Sequence, residues 1–183
     1  MTSTQSRSVV VTGASRGIGL EIARKFQADG DRVVDTYRTT APDEKFILVP
    51  CDVTSRPRLH RGRESTRPCQ VLVANAGITD DRLLLRMPRE SFTSVLDTNL
   101  TGSFSVAQRA IKGMMRARSG RIIFISSAVA LRGQSGQRER LLQQIPVGLL
   151  AQPQEIADVV HRRGQGYING EIIYVDGGAA MGH

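Results

Sequence analysis

Residues Val9 to Leu20 read V-V-V-T-G-A-S-R-G-I-G-L. Three β-branched residues suit a buried strand, and the glycines at 13, 17 and 19 suit a tight turn that opens a helix. A strand, a glycine turn and a helix N-terminus in that order form a cradle for the pyrophosphate of a dinucleotide, because the first helical N–H groups lack partners and face the anion. Gly13 permits the turn, Gly17 lets the backbone approach the phosphates, and Gly19 lets the helix sit close to the sheet. Ser15 and Arg16 can donate to phosphate, and Ile18 is assigned to the same cradle. The spacing is G-x-x-x-G-x-G, not the general G-x-G-x-x-G.

Working outward, the chain alternates strands and helices, the pattern of an α/β doubly wound parallel sheet of Rossmann type. The expected strands are Val9 to Val11, Arg32 to Tyr37, Phe46 to Val49, Val71 to Val73 and Arg121 to Ile125. Ile18, Ile22 and Phe26 make one apolar stripe on the first helix, which Asp29-Gly30 ends. Phe92, Val95, Leu96 and Leu100 give an apolar face to a long helix reaching about Arg116. A helix begins near Pro153 and stops at His161, and the tail Y-I-N-G-E-I-I-Y-V-D-G-G reads as a final strand. The 183 residues are read as one domain spanning 1–183.

The net charge of +8 raises the question of nucleic acid. Arginine carries nearly all of it, lysine occurring only at 25, 45 and 112. The arginine stretch has no aromatic interleaving and matches no recognition motif, so nucleic acid is not an expected partner. Cys51 and Cys69 have no metal-binding spacing. No long apolar run precedes the glycine turn, and neither a membrane span nor a leader is read, so a cytoplasmic location is the expectation.

Strand 2 ends at Tyr37-Arg38. An acid at that end would bond a ribose 2′-hydroxyl and select NAD, whereas an arginine accepts a 2′-phosphate. Arg38 therefore points to NADPH. Asp35 falls inside the strand and is not read as the ribose acid; a different register would reverse that choice. Asn75, Ala76 and Gly77 follow strand 4 at the carboxyl edge of the sheet, where ligands bind in such folds. Asn75 could equally tie neighbouring strands together.

The segments T-G-A-S-R-G-I-G, C-D-V, A-N-A-G, L-D-T-N-L-T-G-S-F, R-I-I-F-I-S-S and Y-I-N-G…V-D-G-G resemble, in order, those of the short-chain dehydrogenase/reductases. The nearest likeness is to the 3-oxoacyl-[acyl-carrier-protein] reductases of fatty acid synthesis. The tail V-D-G-G-A-A-M-G-H resembles their actinobacterial branch. The resemblance implies NADPH-dependent reduction of a 3-oxoacyl thioester on acyl carrier protein, by a homo-oligomer that is a tetramer in the family. It implies that Asp52 and Val53 touch the adenine ring, Asn99 holds a water and Ser127 bonds the substrate carbonyl. It also implies an apolar residue where Asp35 stands, and a carrier-protein contact at Arg118.

The family's tyrosine and lysine, spaced Y-x-x-x-K, are missing. Four residues after Tyr37, Tyr167 and Tyr174 stand Ala41, Glu171 and Gly178. The family's spacing from Ser127 lands on Arg140 and Gln144, which do not exchange protons near neutrality. The expected cause is an internal deletion between Gln137 and Arg138 that removes the catalytic helix and the next strand. Thr54 to Gln70 and His161 to Gln165, rich in Arg, Pro, His and Gly, read as out-of-frame segments, which resequencing the gene would test. The alternative function is a non-catalytic dinucleotide-binding remnant paired with an intact relative.

Overall fold

The computed structural model describes residues 6–37, 46–54, 68–127, 145–162 and 169–179. Among them, one five-stranded sheet runs in the order β3-β2-β1-β4-β5, every neighbouring pair parallel. The strands are β1 (Ser8–Thr12), β2 (Arg32–Tyr37), β3 (Ile47–Pro50), β4 (Val71–Ala74) and β5 (Arg121–Phe124). The helices are α1 (Gly17–Ala28), α2 (Arg89–Leu96), α3 (Ser103–Ala117) and α4 (Pro153–His161). A Rossmann-like α/β sheet is thus what the strand and helix alternation specified, with strand ends shifted by a residue.

β1 is buried along its whole length, as a central parallel strand must be. Its side chains alternate between two cores. Val9 and Val11 join Val33, Val71 and Val73 beneath Ile22 and Phe26 of α1 and Ala157 of α4. Val10 joins Val34 and Leu72 beneath Val106, Ala110 and Met114 of α3. Helices therefore cover both faces, and the strand termini are left to build a site.

α1 stops where Gly30, at φ +83°, turns the chain back and the Asp31 N–H reaches the Phe26 carbonyl at 3.1 Å. Asp31 then takes the Arg7 guanidinium at 2.6 Å. α4 opens with Pro153 in its first turn and a capping box between Gln152 and Glu155. It lies against α1: the His161 ring meets Phe26 edge-on at 4.9 Å, its Nε2 is 2.7 Å from Asp29, and Lys25 pairs with Asp158.

Two expectations need correction. The tail is not a strand: residues 171–175 make no ladder, and Ile172 is 77% exposed. A strand exists only against a partner, and among the described residues β5 is the sheet's edge with nothing beyond it. The long helix is present, but a six-residue π-helical turn (Asp97–Gly102) interrupts it between α2 and α3. The face it packs on the sheet is not Phe92, Leu96 and Leu100, which are exposed, but Thr98, Gly102, Val106, Ala110 and Met114. These five recur every fourth residue. Residues 55–67 of the arginine-rich stretch, Gln134 to Gln144 and residues 163–168 lie outside the described residues.

Candidate functional site

Because all five strands are parallel, the segments that follow them gather at one edge of the sheet. The glycine turn follows β1, Asp52 and Val53 follow β3, Asn75 to Gly77 follow β4, and Ser127 follows β5. β1 and β4 are adjacent, and the chain leaves them towards opposite sheet faces, so the turn and Asn75 flank the switch point where such folds bind nucleotides.

The glycine turn is built as its spacing requires. Gly13 has φ +67°, and a Cβ there would lie 2.9 Å from the Ala76 Cα. Gly17 has φ +60°, and no described residue comes within 4 Å of where its Cβ would stand. Gly19 could carry no side chain, since a Cβ would meet Asn75 Nδ2 and lie 2.6 Å from the Gly13 carbonyl oxygen. Among the described residues no side chain caps α1; its first turn holds no acidic residue, and Arg16 is exposed beside it. Ser15 and Ile18 are half-buried. Open space over Gly17 beside uncapped helical N–H groups fits a bound pyrophosphate.

Asn75 ties strands together. Its Nδ2 donates to the carbonyls of Thr12 at 3.0 Å and Gly13 at 3.1 Å. The N–H groups of Asn75 and Ala76 each donate to Thr12 Oγ1 at 3.0 Å. Thr12 is thus a structural residue of the site that the motif reading passed over; its signal was a hydroxyl residue between an apolar strand and a glycine.

Asn99 sits in the π-helical turn. Its Nδ2 donates to the Ile78 carbonyl at 3.0 Å, and its Oδ1 accepts the Ile78 N–H at 2.9 Å. Both arms of the amide thus grip the backbone just past Gly77. Ile78 was invisible in the sequence because its role is carried by its backbone. Asp52 accepts from the Thr54 N–H at 2.9 Å and hydroxyl at 2.7 Å, shaping the turn after β3. Val53 is buried against Gly102, where a Cβ would come 2.7 Å from Val53 Cγ2. Ser127 is exposed at the same sheet edge. Arg38 lies outside the described residues.

Among the described residues Asp35 is the one acid buried within a strand of the sheet. It stands inside β2 opposite Val11, fully buried, and its Oδ1 accepts the Ala14 N–H at 2.9 Å. Burial pushes its carboxyl up from the ordinary carboxylate value, against the pull of the Ala14 and Thr36 N–H groups. Burial also pushes the Cys69 thiol up to about 11, and Cys51 shifts the same way beside Asp52. Among the described residues no cluster of His, Cys, Asp or Glu could hold a metal ion, and no helix is long and apolar enough to cross a membrane.

Comparison with known proteins agrees with this geometry. The short chain dehydrogenase family model matches residues 7–138. A 3-oxoacyl-[acyl-carrier-protein] reductase MabA of Mycobacterium tuberculosis (strain ATCC 25618 / H37Rv) is 36% identical over 233 aligned residues, covering 97% of this chain and 94% of that protein. MabA of Mycobacterium avium is 44% identical over 136 residues, covering 72% and 53%. The reductase FabG of Rickettsia prowazekii (strain Madrid E) is 27% identical over 234, covering 96% and 97%. An alignment of 233 positions is longer than this 183-residue chain, so within the matched span the mycobacterial relative has residues that this chain lacks. The parallel sheet, the glycine turn at its switch point and the match across residues 7–138 place this chain in the short-chain dehydrogenase family of oxidoreductases.

Proposed function

We propose that this chain is, in ancestry and ligand, an NADPH-dependent reductase of 3-oxoacyl thioesters carried on acyl carrier protein. As the sequence stands, it holds the nucleotide without completing the reduction. The observation that carries the reading is the cradle: Gly13 and Gly19 let the turn pack against Ala76 and Asn75, and Gly17 leaves open space beside uncapped helical N–H groups at the sheet's switch point. Gly13, Ser15, Arg16, Gly17, Ile18 and Gly19 would hold the phosphates, Asp52 and Val53 the adenine end, and Asn75, Ala76 and Gly77 the inner edge. Arg38 would meet a 2′-phosphate. Asp35 supports NADPH over NADH, because its carboxylate is committed to Ala14 inside the strand and does not stand at the strand's end.

A bound nicotinamide would be the source of the hydride for the 3-keto carbon in the complete reaction. Ser127 would donate a hydrogen bond to the substrate oxygen, and Asn99 would hold the segment beside it through Ile78 and keep a water in place. The developing alkoxide needs a proton, and no tyrosine in the sequence has a lysine four residues on. That gap favours the non-catalytic reading over full turnover. Arg116 and Arg118, exposed at the end of α3, suit an acidic carrier protein. Phe92, Leu96, Leu100 and Phe104 form an exposed apolar stripe along α2 and α3, which suits a homo-oligomer or pairing with an intact relative. A cytoplasmic location belongs to the same reading.

The test is NADPH fluorescence titration together with NADPH consumption on a short 3-oxoacyl thioester. Saturable binding with no turnover above background is expected. Turnover at a rate ordinary for enzymes, about 1 per second or more, would overturn the non-catalytic half. Absence of NADPH binding would overturn the cradle.

A further inference from the structure

We propose that Asp35 is a positioning residue of the nucleotide site, seating the glycine turn through Ala14 and coupling nucleotide binding to uptake of a proton. The inference rests on the dinucleotide reading above. Two hydrogen bonds fix the turn to β2: Ala14 N–H to Asp35 Oδ1 at 2.9 Å, and Gly13 N–H to the Thr36 carbonyl at 2.9 Å. Successive residues of the turn are thus pinned to successive residues of the strand.

The second carboxyl oxygen is different. Among the described residues Asp35 Oδ2 is buried without a hydrogen-bond partner, the carboxyl feeling in addition to Ala14 only the electrostatic pull of the neighbouring Thr36 N–H. The same sheet face carries Val11, Val33 and Leu48, with Ala14, Ile18 and Ile22 packed over it. β1 and β3 contribute no titratable side chain. Glu21 and Arg24 of α1 pair with each other, and Lys25 pairs with Asp158. Arg16 in the turn is exposed, and Tyr37 is two residues along the strand. An ionised carboxylate with one oxygen bare in apolar surroundings is disfavoured, and a neutral carboxyl far less so.

The turn that Asp35 supports from below is the one that receives an anion from above. A negative Asp35 therefore opposes a bound pyrophosphate, and a neutral Asp35 does not. By linkage, nucleotide binding draws a proton onto Asp35, and affinity falls as pH rises through the range where the free protein loses that proton.

Asp35→Asn keeps the oxygen that faces Ala14 and removes the charge. NADPH affinity is measured for both proteins from about pH 5 to about pH 8.5, a span above the ordinary carboxylate value. Wild-type affinity is expected to fall about tenfold more than that of the variant across the range. Comparing the two cancels titration of the ligand's own phosphate. Ligand-free melting supplies a second readout. The folded carboxyl is raised above its unfolded value, so its cost is absent at low pH and grows as pH rises towards the folded value. Asp35→Asn should therefore be more stable than wild type at the alkaline end, with the gap closing as pH falls. If Asp35→Asn does not fold, Asp35→Val, apolar like its neighbours, takes its place with the same flat profile expected. Binding by both proteins with parallel pH profiles overturns this inference and leaves the dinucleotide reading standing. No NADPH binding by either protein at any pH overturns both.

Discussion

Gly17 and Gly19 belong to one motif yet lack side chains for different reasons, and substitution separates them. Alanine at 19 would collide with the Gly13 carbonyl and the Asn75 amide. Gly19→Ala should therefore cost about 2 kcal/mol of stability, as overpacking does, and lower the urea midpoint. Alanine at 17 meets nothing but must adopt φ +60°, which costs about 1 kcal/mol. Its methyl enters the space proposed for phosphate. Gly17→Ala should weaken NADPH binding by more than about tenfold, read by fluorescence, a larger loss than its stability cost explains. Equal losses of binding and stability would argue against the assignment. These glycines were legible because the backbone demands them at a fixed spacing. The Asn99 grip on Ile78 was not, because its partner is a peptide group 21 residues away whose side chain plays no part.

At the scale of elements, the long helix shows what periodicity can and cannot say. Apolar residues at 92, 96 and 100 marked a helix correctly, yet the sheet takes the face with Gly102 and Ala110. Small residues let the backbone come close, as Gly102 does against Val53, so the packing face is not the most apolar one. Val106→Ala should cost about 1–3 kcal/mol as a buried truncation. Leu100→Ser, at a residue 66% exposed, should leave monomer stability within about 0.5 kcal/mol but reduce self-association in sedimentation. A Leu100→Ser protein with unchanged assembly would remove the stripe as an interface. The C-terminal E-I-I-Y-V is the converse case. Its composition is that of a strand, but strand formation depends on a neighbour that the sequence order cannot supply here.

Across the whole molecule, stability should be uneven. β1 is flanked on both sides and buried on both faces, whereas among the described residues β5 pairs with β4 alone and carries an exposed Phe124. Hydrogen exchange should protect the β1 amides most and leave the outward-facing amides of β5 exchanging orders of magnitude faster. Uniform protection across the five strands would mean that something covers the β5 edge. The fold class was legible from strand–helix alternation, as was the carboxyl edge on which the site stands. That β5 is the outermost strand among the described residues was not legible in the sequence and came from the sheet order.

The seat of α4 on α1 has a consequence of its own. Phe26, Asp29 and Lys25 hold α4 on α1, over the sheet face that carries Val9, Val11 and Val73. The chain's return after β5 is therefore anchored by contacts with the first helix. Closing a flexible connection costs about 0.6 kcal/mol more for each doubling of its length. A shorter link between β5 and α4 thus lightens that entropic load while leaving the docking contacts whole. The docking of α4 on α1 therefore depends little on the length of the connection that leads to it from β5.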